Sequence, residues 1–260
     1  MRGKSRIVAI ANQKGGVGKT TTAINLAASL ADAGRSVTVI DLDPQGNAST
    51  GLGIPVESRT TSTFDVLTGE ANAAQAEHET AVPGLTVVPA TSDLSSAELD
   101  LAAASGRLTH LRTALRRSAP SGETIIIDCP PTLGLLTLNA LVAADGLLVP
   151  LQSEFYALEG LSQLLLTLRE VRRSANPALR LDGVVLTMAD QRNRLAQQVE
   201  ADARATLGDV VFQTVIPRNV RLSEAPSHGL PVMLYDPQSR GARAYRDLAE
   251  EYLNRISVEG

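Results

Sequence analysis

Residues 13–21 read QKGGVGKTT, a run of glycines, lysines and threonines whose spacing suits it to grip a phosphate chain. Gly15, Gly16 and Gly18 allow backbone conformations closed to other residues and bring consecutive N–H groups close to an anion. Lys19 can reach the β- and γ-phosphates of a nucleotide, and the Thr20 hydroxyl can ligate Mg²⁺. The general spacing G-x-x-x-x-G-K-[ST] would put its first glycine at position 13, where this chain has Gln13. A second lysine, Lys14, stands inside the loop instead. Such a loop must join a strand to a helix, because the helix N-terminus adds unpaired N–H groups and the positive end of its dipole. Both flanks are present: residues 7–11 are an apolar strand pattern and residues 20–33 a helical one.

Three further segments follow apolar runs and carry groups able to act on a nucleotide. Asp41-Leu42-Asp43-Pro44-Gln45-Gly46-Asn47 holds carboxylates that could orient a water attacking the γ-phosphate, although the same residue types also make a plain turn. Asp128, after Ile125-Ile126-Ile127, fits a Walker B acid that holds Mg²⁺ directly or through a water. In residues 215–226, Pro217 and Asn219 could edge a base while Arg218 and Arg221 could face phosphates; a lone surface arginine more commonly forms a salt bridge. His78, His110 and His228 have no catalytic or metal spacing. Cys129 is the sole cysteine, which excludes an internal disulfide or a multi-cysteine cluster within one chain and suits a small core residue.

These segments converge only in an open α/β sheet, which binds ligands at the carboxyl ends of its strands. Alternating short apolar runs and longer helical patterns predict strands at 6–11, 36–40, 86–88, 124–127, 146–149, 183–187 and 210–215. Helices are predicted at 19–33, 96–117, 132–143, 158–174, 196–207 and 240–256, with 54–79 as loop and short helices. Several strands lack alternation, as expected when both faces are covered. The 260 residues suffice for a substantial core and read as one domain over 1–260. Net charge is −4, so any nucleic-acid contact must be a local patch. No run approaches a membrane span, and the basic N-terminus is too short in apolar residues for a signal peptide. A soluble cytoplasmic protein is the expectation.

KGGVGKTT, DLDPQGN, IIIDCPP and VIPRNVRLSEAPSHG, in this order and with FYALEGLSQLL at 155–165, resemble the ParA/Soj family of partitioning ATPases. That family belongs to the deviant-Walker-A class that includes MinD, and the resemblance covers nearly the whole chain. It implies a three-layer P-loop NTPase fold, with a mainly parallel twisted sheet flanked by helices on both faces. It also implies ATP and Mg²⁺ as ligands, slow hydrolysis, and an ATP-bound homodimer with two nucleotides sandwiched between subunits. Lys14 would cross to the partner's phosphates and neutralise charge there, as an arginine finger does. Lys14, Gly15, Gly16, Val17, Gly18, Lys19, Thr20 and Thr21 would bind the phosphates, and Pro217 and Asn219 would line the adenine pocket. Asp43 would position the hydrolytic water, completing a catalytic set with Lys14 and Lys19. Thr20 would ligate Mg²⁺, Asp128 would hold it through a water, and Asp41 would support its outer shell.

The resemblance further implies nonspecific double-stranded DNA binding by the dimer, through Arg218 and Arg221 joined by Arg192 and Arg194. Such contacts weaken steeply with salt. A ParB-type centromere-binding protein would stimulate hydrolysis, dissolve the dimer and release its DNA during chromosome or plasmid segregation, and the protein would be nucleoid-associated. A MinD-like membrane-recruited ATPase is the nearest alternative, but that class ends in a basic amphipathic helix, whereas residues 249–260 are acidic and weakly apolar. A reductase resembling the nitrogenase iron protein needs two cluster cysteines, and only Cys129 is present. A regulatory module that binds nucleotide without hydrolysis is opposed by Asp43 and Asp128.

Overall fold

The computed structural model describes residues 5–104, 106–117, 124–153, 157–190 and 192–258. In chain order, β1 (Arg6–Ile10), α1 (Lys19–Asp32), β2 (Val37–Asp41), α2 (Asn47–Gly51) and α3 (Thr63–Thr68) come first. They are followed by β3 (His78–Glu79), β4 (Leu85–Val88), α4 (Leu94–Ala103), α5 (His110–Arg117), β5 (Thr124–Asp128) and α6 (Leu135–Ala143). The remainder is β6 (Gly146–Gln152), α7 (Ala157–Ser174), β7 (Arg180–Ala189), α8 (Arg194–Leu207), β8 (Val211–Pro217), α9 (Val220–Glu224), α10 (Val232–Tyr235) and α11 (Arg240–Val258).

The strands form one sheet in the order β3-β4-β2-β5-β1-β6-β7-β8, parallel except where β3 meets β4. Strands β2 and β5 are buried at every residue, which explains why their sequences lack an exposed polar face. Alternate residues of β1 feed opposite layers. Val8 and Ile10 pack under α1, α10 and α11, while Ala9 joins the layer built from α3 to α8. The α/β class and the mainly parallel sheet expected from the sequence are therefore present.

Register brings the functional segments together. Ile10 pairs with Asp128 and Asp41 pairs with Asp128, so β1, β2 and β5 end side by side. Strands β6 to β8 lie on the other side of β1, which puts the glycine loop where the strand order reverses. The predicted helix over 96–117 is instead two helices, because Gly106 adopts φ 72° between them and turns the chain. Antiparallel β3 escapes the sequence pattern because it is only two residues long. Residues 54–79 do hold short helices, among them α3, which Ser62 and Asp65 close with a capping box. In the 155–165 segment, Phe155 and Tyr156 lie outside the described residues.

The last helix is a packed one, as the acidic tail suggests. Tyr245, Leu248, Ala249 and Tyr252 are buried along α11. Tyr252 donates to Asp182 at 3.1 Å, Arg6 pairs with the same carboxylate at 2.8 Å, and the Arg255 guanidinium sits 4.0 Å over the Phe212 ring. Among the described residues, no helix is long and apolar enough to cross a membrane.

Candidate functional site

The loop after β1 is held from three directions. Asn12, almost fully buried, donates through Nδ2 to the Pro150 carbonyl at 2.7 Å, and its Oδ1 accepts from the Lys14 amide at 3.0 Å. Pro150 is tolerated inside β6 because β1 has already ended there, so no ladder bond is lost on that side. Thr187 at the end of β7 donates to the Val17 carbonyl at 2.8 Å. Gly16 and Gly18 take φ of 73° and 86°, and Gly18 caps α1 without any side-chain hydrogen bond. The first N–H groups of α1 therefore remain available to an anion. The Lys19 side chain is buried and its Nζ donates to the Lys14 carbonyl at 3.0 Å. Burial pulls its pKa below the usual lysine value, with Asp128 chief among the groups opposing that shift.

Three carboxylates lie beside this loop. Asp41 is fully buried and accepts from the Ser49 amide at 2.8 Å, the Ser49 hydroxyl at 2.6 Å and the Asp43 amide at 3.2 Å. Burial raises its pKa to about 6 despite these bonds. Asp43 accepts from the Gln45 amide at 3.0 Å, so this segment is both a turn and a carboxylate-bearing site. Beneath it, buried Arg59 donates to the carbonyls of Ile54 and Ala90 and to the Thr50 hydroxyl, and a Cβ at Gly46 would collide with its Nη1. Glycine at 46 lets the Asp43 turn lie directly on that guanidinium.

Asp128 differs from the other two. Both its carboxylate oxygens are buried without a well-formed hydrogen bond, although the Thr20 hydroxyl is close enough to ease its ionisation. Burial, then the charge of Asp41, push its pKa well above the carboxylate range. An orphaned carboxylate beside a hydroxyl and a phosphate loop offers the oxygen donors a small hard cation takes. Among the described residues no cluster of three or more His, Cys, Asp or Glu forms a complete cage. Mg²⁺ keeps several waters and shares its shell with substrate phosphates, so Asp128 and the Thr20 hydroxyl are the donors this chain would give it.

The orphaned carboxylate should also destabilise the nucleotide-free fold. Asp128→Asn is expected to stabilise that form at pH 8 by about 1–3 kcal/mol, read as a higher melting temperature. The sign follows from a folded-state pKa raised above the unfolded one. The ionisation penalty is absent below the unfolded pKa, about 3.9, and grows as pH rises toward the folded value. The advantage of Asn should therefore shrink on acidification to about pH 4. An unchanged or lower melting temperature at pH 8 would contradict this account of Asp128.

A cavity of about 620 Å³ opens beside Gly18, Thr20 and Thr21 and is walled by Thr187, Met188, Pro217, Asn219 and Tyr245, among others. The Asn219 side chain also accepts from the Arg221 amide at 2.9 Å, capping α9. A second cleft of about 810 Å³ holds Arg192, Arg218, Arg240 and Arg243 together with Asp190, Glu200 and Asp247. Pro217 and Arg218 belong to both walls. Arg221 points elsewhere, paired with Glu224 at 2.8 Å and Asp236 at 3.2 Å. Arg194 is exposed at the start of α8 and is not part of the cleft lining. Arg240 and Arg243, one helical turn apart, were missed from sequence. Their i, i+3 spacing at a predicted helix start was the available signal.

Comparisons with known proteins agree with this geometry. A family model described as an AAA domain matches residues 5–181. The chain is 55% identical over 252 residues to the chromosome partitioning protein ParA of Caulobacter vibrioides, covering 96% of this chain and 94% of that protein. It is 52% identical over 246 residues to the sporulation initiation inhibitor protein Soj of Bacillus subtilis, covering 95% and 97%. Among solved structures it is similar to a cobyrinic acid a,c-diamide synthase from Mycobacterium smegmatis with bound ADP and magnesium, with a TM-score of 0.85, 37% identity, and 98% and 97% coverage. The cell division ATPase MinD of Pyrococcus furiosus gives a TM-score of 0.80 at 28% identity, with 96% and 99% coverage. With its phosphate loop, strand-end carboxylates and full-length similarity taken together, the chain belongs to the ParA/Soj family of chromosome-partitioning ATPases.

Proposed function

We propose that this chain is a nucleotide-switched DNA-binding ATPase whose active form is a homodimer closed around two ATP molecules. The observation that carries the reading is the continuity of three parts: the uncapped α1 N-terminus with Lys19, the orphaned Asp128 beside Thr20, and the adjoining cavity walled by Pro217 and Asn219. Together they match the phosphates, the cation and the base of Mg·ATP. ADP with magnesium in a structural relative supports the same ligands here. The partitioning relatives at 55% and 52% identity weigh more than the synthase at 37% in choosing the activity.

In this reading the loop amides of residues 15–21 and the Lys19 ammonium bind the phosphates of their own subunit. Thr20 and Asp128 would hold Mg²⁺, which neutralises charge between the β- and γ-phosphates when bound. Asp43 orients the attacking water, while Asp41 fixes the turn that carries Asp43. Lys14, partly exposed in the loop, reaches the partner's phosphates and makes each site complete only in the dimer. The whole chain works as one domain, cytoplasmic and nucleoid-associated.

The DNA surface is assigned to Arg192, Arg218, Arg240 and Arg243, with Arg194 flanking it; Arg221 instead braces α9 against Asp236. Dimerisation doubles this patch, which reconciles DNA binding with an acidic chain. Arg192→Glu with Arg243→Glu, both in the cleft and outside the nucleotide cavity, should weaken DNA binding at least about tenfold, flatten its salt dependence, and spare ATP-dependent dimerisation. An unchanged salt slope would move the surface elsewhere. The proposal as a whole is tested by ATPase rates with DNA and a ParB-type protein added separately and together. Stimulation greatest with both is expected. Phosphate release in no condition would leave a nucleotide-binding regulatory module.

A further inference from the structure

Arg59 is 8% exposed as a residue and packs against Gly46, in the turn that carries Asp43. Its guanidinium bonds to main chain and a hydroxyl rather than to a carboxylate. Nε and Nη2 donate to the Ile54 carbonyl at 3.2 and 2.8 Å, Nη1 to the Ala90 carbonyl at 3.1 Å, and Nη2 to the Thr50 hydroxyl at 2.7 Å. Withdrawing a cation from water is costly where no opposite charge offsets it. What arginine supplies here is reach, a planar fork that holds separate points of the chain at fixed angles.

Each of those points leads to the Asp43 turn. The Thr50 hydroxyl that accepts from Arg59 donates onward to the Gly46 carbonyl at 3.0 Å, and the Gly46 amide donates to the Asp43 carbonyl at 2.9 Å. Ala90 is held at both its polar atoms. Its amide donates to the Ser49 hydroxyl at 3.0 Å, and that hydroxyl donates to Asp41 at 2.6 Å. The Ile54 amide donates to the Ser49 carbonyl at 3.0 Å, which closes the frame around α2. The Asp43 carboxylate accepts from the Gln45 amide, inside the same turn. Its aim therefore follows the backbone of the turn, and that backbone rests on Arg59. The arginine itself lines neither the nucleotide cavity nor the arginine cleft.

We propose that Arg59 is a positioning residue for hydrolysis: its fork fixes the turn that aims Asp43 at the attacking water, and so sets the rate of the chemical step from outside the site. The inference rests on the ATPase reading above, in which Asp43 orients that water, and adds the residue that holds Asp43 in line. A displacement of about 1 Å at a catalytic group can cost roughly a hundredfold in rate, so partial loosening of the turn should cost about tenfold. Nucleotide affinity should not follow. Thr50, which lines the nucleotide cavity, keeps its bond to Gly46 without the arginine.

The test compares single-turnover phosphate release at saturating Mg·ATP, with double-stranded DNA present, against calorimetric titration with Mg·ATP, both on the full chain. Arg59→Gln should slow release about tenfold while ATP affinity stays within about twofold of the parent. Arg59→Lys keeps the charge but cannot span the same acceptors, so it should slow release about fivefold. Should the glutamine variant fail to fold, the lysine variant carries the same comparison. Normal release in a folded Arg59→Lys protein would overturn the proposal, because a charge without the fork would then suffice. Matching losses of rate and of ATP affinity would also overturn it, showing a site loosened as a whole. Unchanged release in Asp43→Ala would sink the reading of Asp43 itself, a result separable from either Arg59 outcome.

Discussion

Lys19→Ala should reduce affinity for Mg·ATP by roughly a hundredfold or more while leaving the fold intact. The size of the effect follows from where the ammonium lies. Lys19 is 6% exposed as a residue, and its ammonium donates to the Lys14 carbonyl at 3.0 Å and faces Asp128 and Asp43. A partly buried cation has given up part of its hydration before the phosphate arrives, so its attraction for the added charge is less screened than in water. Deleting it also leaves the triphosphate to approach the carboxylates of Asp43 and Asp128 without a compensating charge. Equilibrium binding by fluorescence or calorimetry, beside a melting curve, separates lost affinity from lost folding. Normal affinity in a folded Lys19→Ala protein would remove Lys19 from the phosphate site.

Asp43→Ala should act on the opposite quantity. Orienting and polarising an attacking water contributes about 10²–10⁴ to rate, so turnover should fall at least about a hundredfold. ATP binding should persist or tighten, because one negative charge beside the phosphates is gone. The local structure should survive as well. Asp43 contributes one hydrogen bond through its carboxylate, to the Gln45 amide, whereas Asp41 and Arg59 hold the turn through several. The variant should therefore accumulate as an ATP-bound, DNA-bound dimer. Unchanged single-turnover phosphate release would exclude Asp43 from the chemistry.

Much of this site was legible because its signals are local. The glycine loop, the apolar run before Asp128 and the turn after β2 each lie within a few residues of the strand end that positions them. Helix 96–117 failed for a reason that is also local: apolar spacing continues on both sides of Gly106 and hides the turn it makes. The loop's supports were not legible. Asn12 reaches Pro150 across 138 residues and Thr187 reaches Val17 across 170, and no periodicity marks such pairs. Surface arginines are ambiguous in the same way. Arg218 and Arg221 look alike in sequence, yet acidic neighbours at 224 and 236 capture only the second. The left-handed backbone of Met188 carries no residue-type signal at all, since methionine is not a residue that prefers it.

In the proposed switch, Lys14 makes one subunit an incomplete site, so that ATP closes two copies around two nucleotides. The most direct measurement is the sedimentation mass of Asp43→Ala protein with Mg·ATP and with Mg·ADP at the same protein concentration. A dimer in Mg·ATP and a monomer in Mg·ADP is the result expected. A single mass in both nucleotides, with saturation of the site verified, would contradict it.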